Sequence, residues 1–178
     1  KKNLDVECEF YRLDEMVDEE GLEPAAVLLI RNGLEKLVGE SPDKMMDEQL
    51  SFEWDKQYWD NRRSKVLNKR ARYNVCFGKE SLDANLEEKQ GTIIGFDRVP
   101  ILKKLKESLG GFFGEKAKHL EVEGNLYYDV KKCGIGFHGD GERKREARDE
   151  ANESAGVRFS SFSVRSKILC VMMNFTPP

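Results

Sequence analysis

Histidine is scarce in this chain, with two in 178 residues, His119 and His138, so any metal site has at most two imidazoles to draw on. Cysteine is little used as well. The four cysteines (Cys8, Cys76, Cys133 and Cys170) are scattered without a C-x-x-C pair, which favours free thiols in a reducing compartment over a disulfide framework. No secretory leader and no long apolar run suited to a membrane span is present, so the expected location is intracellular, in cytoplasm or nucleus, with no membrane partner. There is no excess of positive charge. The net charge of −3 excludes a global attraction to nucleic acid and confines any such binding to a local patch. No internal repeat is visible.

What is there describes a highly charged globular protein, 39% hydrophobic and 35% charged, of a length suited to a single domain over residues 1–178. Position 1 is Lys, which fits a fragment or a processed start. Residues 1–21 carry Phe10, Leu13, Met16 and Val17 at helical spacing and predict a short helix, with a solvated lead-in as the alternative. The apolar run 25–30 predicts a buried strand ending at the Asn32-Gly33 turn, with Leu34, Leu37 and Val38 forming one further helical turn. Residues 41–48 read as a polar connection opened by Ser-Pro-Asp. Residues 78–91 read as a loop, and Ile93-Ile94 as a short extended piece.

Two further segments have clear character. Val99-Pro100 opens an amphipathic helix with Ile101, Leu102, Leu105 and Leu109 on one face, stopped by Gly110-Gly111. Earlier, Phe52, Trp54, Tyr58 and Trp59 precede Arg62, Arg63, Lys65, Lys69, Arg70 and Arg72, with Tyr73 and Phe77 following. Cations interleaved with rings suit single-stranded or flipped-out nucleic acid, the cations for phosphate and the rings for stacking. The same composition also describes a charged helix whose aromatics are simply core.

The stretch 125–142 organises the rest. Leu126 to Val130 reads as a strand, Lys131 to Gly134 as a turn, and Ile135 and Phe137 resume an extended run. In extended chain His138 and Asp140, two apart, project from one face and offer an imidazole and a carboxylate to a divalent metal. Asn125 and Tyr127 share a face of the preceding strand, an amide and a phenol able to hydrogen-bond a small carboxylate-bearing molecule. The bland alternative for a bare His-x-Asp is a surface ion pair.

Asn125-x-Tyr127, a Gly-containing turn and then His138-x-Asp140, all after an amphipathic helix, resemble the AlkB-like branch of the iron(II)- and 2-oxoglutarate-dependent dioxygenases over about residues 62–143. The resemblance implies an α+β fold with a partial double-stranded β-helix (jelly-roll) core and flanking helices. It implies Fe(II) held by His138 and Asp140, and 2-oxoglutarate contacted by Asn125 and Tyr127. Residues 51–78 would form a lid, with Arg72 and Tyr73 toward substrate and Glu142 a further substrate contact. The implied reaction is oxidative demethylation of alkylated bases in DNA or RNA, of the kind used in DNA repair, with oxygen as co-reactant.

Past Arg143 the chain departs from that pattern. Residues 144–154 alternate charge without an apolar stripe and predict disorder or a solvated helix, within a divergent tail 144–178. Val157 to Val164 alternates loosely, and Ile168 to Phe175 resembles a buried strand. No histidine follows Asp140, and His119 reads as a surface or packing residue. The expectation is therefore a truncated or altered form of a longer enzyme, or a relative that has lost catalysis and serves as a nucleic-acid or protein binding module.

Overall fold

A computed structural model describes residues 8–16, 26–114, 117, 120–129 and 131–134, together with the strands at 157–158, 162–164 and 167–175. In chain order these form β1 (Cys8–Arg12), β2 (Ala26–Ile30), α1 (Gly33–Val38), α2 (Pro42–Gln49), β3 (Gln57–Asp60), β4 (Lys65–Asn68), β5 (Tyr73–Gly78), β6 (Ile93–Gly95), α3 (Pro100–Phe113), β7 (Leu120–Tyr127), β8 (Val157–Arg158), β9 (Phe162–Val164) and β10 (Lys167–Phe175). The class is α+β, as expected.

One mixed sheet runs in the order β6-β5-β7-β10-β8, with β9 also pairing β10, and only the β5–β6 pair is parallel. Alternation along β7 explains its central place. Leu120, Val122, Gly124 and Leu126 are buried on one face, while Glu121, Glu123 and Tyr127 on the other are exposed or half-buried. Val75 and Phe77 of β5 lie in register with Gly124 and Val122 and bury with them. Against this apolar face pack Leu102, Leu105 and Leu109 of α3, each 2% exposed or less, with Leu34, Val38, Met45 and Met46 from the two shorter helices. Each of these larger side chains contributes about 1.5–3 kcal/mol when fully removed from water.

The helix N-termini are satisfied in two ways. At α2 the Ser41 hydroxyl accepts from the Lys44 N–H at 3.3 Å, with Pro42 opening the first turn. At α3, Val99 offers no capping side chain. Instead the Glu48 carboxylate of α2 accepts the Ile101 and Leu102 N–H groups at 2.7 and 3.1 Å. A carboxylate at that end also meets the positive pole of the helix dipole, so one acidic residue fastens two helices.

Several expectations need correction. The segment at Cys8–Arg12 is a strand paired with β2, not a helix, because Phe10 finds a cross-strand partner in Leu28 and Tyr11 in Val27. Strand β2 is not buried: Ala26, Val27 and Leu28 are exposed, since among the described residues its only pairing partner is β1. Ser-Pro-Asp opens helix α2 and does not begin a loop. Helix α3 runs through Gly110-Gly111 and ends at Gly114, whose φ of 80° suits glycine and breaks the helix. The central strand starts six residues earlier than Leu126 and ends at Tyr127. The aromatic-basic segment forms strands β3, β4 and β5, not a charged helix. The 93–95 strand, the helical turn after Gly33 and the strands of the C-terminal third agree with the sequence reading. Residues 144–154 lie outside the described residues.

Candidate functional site

Asn125 is the most deeply buried polar residue of β7, 1% exposed, and stands in register between Asn74 of β5 and Cys170 of β10. A buried amide without partners is costly, so its neighbours are informative. The Arg72 Nε–H donates to Asn125 Oδ1 at 2.6 Å. Arg72 stands just before β5, half-buried, and its charge strengthens this bond over that of a neutral pair. Tyr127, two residues beyond Asn125 and half-buried, shares its face.

A second chain of polar groups lies one rung away. Lys69 Nζ donates to Asn74 Oδ1, and Asn74 Nδ2 donates to Glu123 Oε1 at 3.1 Å. Burial pushes the Lys69 ammonium below its usual range, with Asp55 and Glu123 pulling the other way. In register with Glu123 is Cys76, whose thiol is pushed up by burial and then by the Glu123 carboxylate. Asp55 is itself anchored, accepting from the Thr92 N–H and hydroxyl at 2.9 and 2.6 Å.

Beside these chains opens a cavity of about 860 Å³ lined by Tyr58, Arg63, Leu67, Asn68, Lys69, Arg70, Ala71, Arg72 and Asn74. Four of these residues are cations and none is an acid. The β3–β4 hairpin supplies the outer wall. Its turn is held by Asp60, which accepts the Arg63 N–H at 2.9 Å, and Ser64 adopts a φ of 48° to close it. Such a cavity can take an anion larger than a simple carboxylate.

The turn that leads toward the His-x-Asp pair docks on the same wall. The Asp129 carbonyl accepts the Lys132 and Cys133 N–H groups at 3.1 and 2.8 Å, which agrees with the turn expected at Lys131 to Gly134. The Lys132 ammonium, 2.9 Å away, and the Lys131 N–H hold the Asp129 carboxyl below its ordinary range. Gly134 N–H donates to the Ala71 carbonyl at 3.2 Å, and Tyr128 Oη donates to the Arg70 carbonyl at 3.1 Å. Tyr128 also stacks on Tyr73, with ring centroids 4.2 Å apart.

Of the residues singled out by sequence, Asn125 and Arg72 are therefore hydrogen-bonded, and Tyr127 lies on the same face of the strand as Asn125. Tyr73 is adjacent, but its ring is engaged by Tyr128 and packs against the core. His119, His138, Asp140 and Glu142 lie outside the described residues. Among the described residues no three His, Cys, Asp or Glu side chains gather as a metal site. The Lys69–Asn74–Glu123 chain was not legible beforehand. Its only sequence signal is that Asn74 and Cys76 alternate with Tyr73, Val75 and Phe77.

Fold and site together define a mixed α+β protein with a polar face on its central antiparallel strands and a cation-lined cavity beside it. No protein-family profile matches the chain, and no solved structure matches it. Over 126 residues, 69% of its length, the chain is 40% identical to an uncharacterised protein of Acanthamoeba polyphaga mimivirus. The aligned part is 47% of that protein, so the chain spans about half the length of the relative it matches. Among the described residues no helix is long and apolar enough to cross a membrane.

Proposed function

We propose that this chain is an iron(II)- and 2-oxoglutarate-dependent dioxygenase of the AlkB-like kind, acting on alkylated bases in nucleic acid. The observation that carries the reading is Asn125, buried on the polar face of the central strand and held by a cation, with Tyr127 beside it. An amide and a phenol on one face, next to a guanidinium, suit a small dicarboxylate. The sheet β6-β5-β7-β10-β8 is then one wall of a rolled double-stranded β-helix.

The donor set of His138 and Asp140, an imidazole and a carboxylate, fits iron(II) chemically. When bound, iron(II) supplies the oxygen activation needed to hydroxylate a methyl group. The chain's own work is positional. Asn125 and Tyr127 orient the cosubstrate, and Arg63, Lys69 and Arg70 in the cavity neutralise phosphates while the target base leaves its stack. With His138 and Asp140 as its two named protein ligands, the site should hold iron(II) less tightly than one with three.

The test is an iron(II) titration with 2-oxoglutarate present, followed by measurement of succinate and of formaldehyde from a methylated single-stranded oligonucleotide. Iron-dependent binding of 2-oxoglutarate is the expected result, and its absence sinks the enzyme reading. A second reading, an inactive nucleic-acid binding module, is favoured by the cation-lined cavity with the exposed ring of Tyr58 on its wall. Oligonucleotide binding without any metal-dependent 2-oxoglutarate binding would select it.

A further inference from the structure

We propose that the opening where β5 and β7 part is a binding site for a short peptide with an apolar middle residue and free, charged ends. The site shares no lining residue with the cation-lined cavity. It calls for neither metal nor 2-oxoglutarate, so it stands independently of the dioxygenase reading.

The opening follows from the register of the sheet. Strands β5 and β7 pair from Tyr73 opposite Leu126 to Phe77 opposite Val122, and no further. Gly78 is drawn away to β6, where it lies in register with Gly95 and its carbonyl accepts the Phe96 N–H at 2.9 Å. Among the described residues, Leu120 and Glu121 of β7 then pair with β10 alone, opposite Phe175 and Asn174. On their other side lies a cavity of about 840 Å³, a size usual for small-ligand sites. A strand with a cavity along one side is the setting in which an extended peptide adds to a sheet.

The walls select the ligand. Phe77, Leu120 and Val122 are buried at the floor, with the half-buried ring of Phe96 beside them, which suits an apolar side chain. Charges of opposite sign stand on opposite sides of this floor. Glu121 and Glu123 alternate with Leu120 and Val122, so they belong to the face of β7 turned away from α3. Lys103 and Lys106 rise from α3 on the core side, and Lys79 follows β5. The Lys106 ammonium stands over the Phe96 ring, 5.4 Å from its centroid, which keeps it at the wall. Asp97, the remaining acid of the lining, folds back over Gly95, where its Oδ1 fills the place a Cβ would need. On the β7 side the Cys76 thiol is pushed up by burial and next by the Glu123, Asp55 and Glu121 carboxylates, so a negative field reaches that rim.

The two rims lie a packed layer apart, about 10 Å. One amino acid cannot bring its ammonium and carboxylate to both. Three extended residues, at about 3.3 Å each, span the distance. The ligand is therefore a zwitterion of tripeptide size. Its ammonium meets Glu121 and Glu123, its carboxylate meets Lys79 and Lys103, and its central side chain rests on Phe96 and Val122.

The experiment titrates the 178-residue chain, without metal, with Ala-Leu-Ala and with its N-acetylated and C-amidated forms, followed by nitrogen-15 NMR. The backbone amides of Gly78, Phe96 and Glu121 should shift with the free peptide. Blocking either end should weaken binding about fivefold, the upper worth of a partly exposed ion pair. Glu121→Gln and Lys103→Gln change exposed side chains and leave the core untouched. Glu121→Gln should weaken the free peptide about threefold and leave the N-acetylated one unchanged, while Lys103→Gln should do the same with the C-amidated one. No binding by the unmutated chain at millimolar peptide overturns the proposal, as do shifts confined to the cation-lined cavity. So does a variant that weakens its blocked and free peptides alike, or free leucine that binds as tightly as the tripeptide.

Discussion

Gly124 sits where the core meets the site, one residue before Asn125, and its replacement by alanine tests both. A Cβ built there stands 2.8 Å from Trp54 Cη2, 3.1 Å from Trp54 Cζ3 and 3.0 Å from Phe77 Cε2. Neither ring can easily retreat. Both are buried, Trp54 is pinned by its Nε1–H donating to the Gln49 carbonyl at 2.9 Å, and Phe52 packs on both. Overpacking of this kind costs about 1–3 kcal/mol. The reduced backbone freedom of the unfolded chain returns about 0.5–1 kcal/mol. The net expectation for Gly124→Ala is a loss of about 1–2 kcal/mol, a fall in Tm of about 3–6 °C for a chain of this size. Thermal unfolding followed by tryptophan fluorescence measures it. Trp54→Phe removes the outer ring atoms that the new methyl meets, so the double variant should be less destabilised than the sum of the two singles. Because Asn125 follows directly, Gly124→Ala should also weaken 2-oxoglutarate binding. A Gly124→Ala chain that melts at or above the parent temperature would refute the close approach.

Tyr127→Phe should weaken 2-oxoglutarate binding by about 1 kcal/mol, the usual worth of one neutral hydrogen bond, and equal calorimetric affinities would remove Tyr127 from the site. His138→Ala should abolish iron(II) binding, since one of two named ligands is lost; metal binding that persists unchanged means the ligands lie elsewhere. For Asp129, Lys132 and the Lys131 N–H lower the folded-state pKa, so its stabilising effect is present above the ordinary carboxylate value of 3.8 and fades as pH falls through the lower folded value. The Tm difference between the parent and Asp129→Asn should accordingly be seen at neutral pH and vanish in strong acid. A difference that grows on acidification would reverse the sign of this linkage.

Part of the site could be read from spacing because its members are neighbours in the chain. Asn125 and Tyr127 share a face through the two-residue period of a strand, and β7 obeys that period from Leu120 to Tyr127. Arg72 stands 53 residues from Asn125, and the link between them exists only because β5 and β7 pair with Asn74 opposite Asn125. No local pattern encodes a register between strands so far apart, since a slip of one residue would turn each strand over. The Glu48 cap on α3 is equally invisible, being a carboxylate from one helix that serves the backbone of another.

The elements divide in the same way. Helix α3 was determined by the sequence itself, because Pro100 suits a first turn and Ile101, Leu102, Leu105 and Leu109 make one apolar face. Its far end was decided by packing. Leu109 is fully buried against the core, which carries the helix through Gly110 and Gly111 until Gly114 takes up positive φ. At Cys8–Arg12 the spacing of Phe10 with the apolar residues beyond it suited a helix, yet pairing with β2 decided for a strand. Five residues are too few to nucleate a stable helix, whereas an adjacent strand satisfies their backbone groups at once. Chemistry that lies within a few residues was set by the sequence alone. The partners of Asn125 across the sheet were set by the tertiary structure, because only strand pairing brings distant cations to a buried amide.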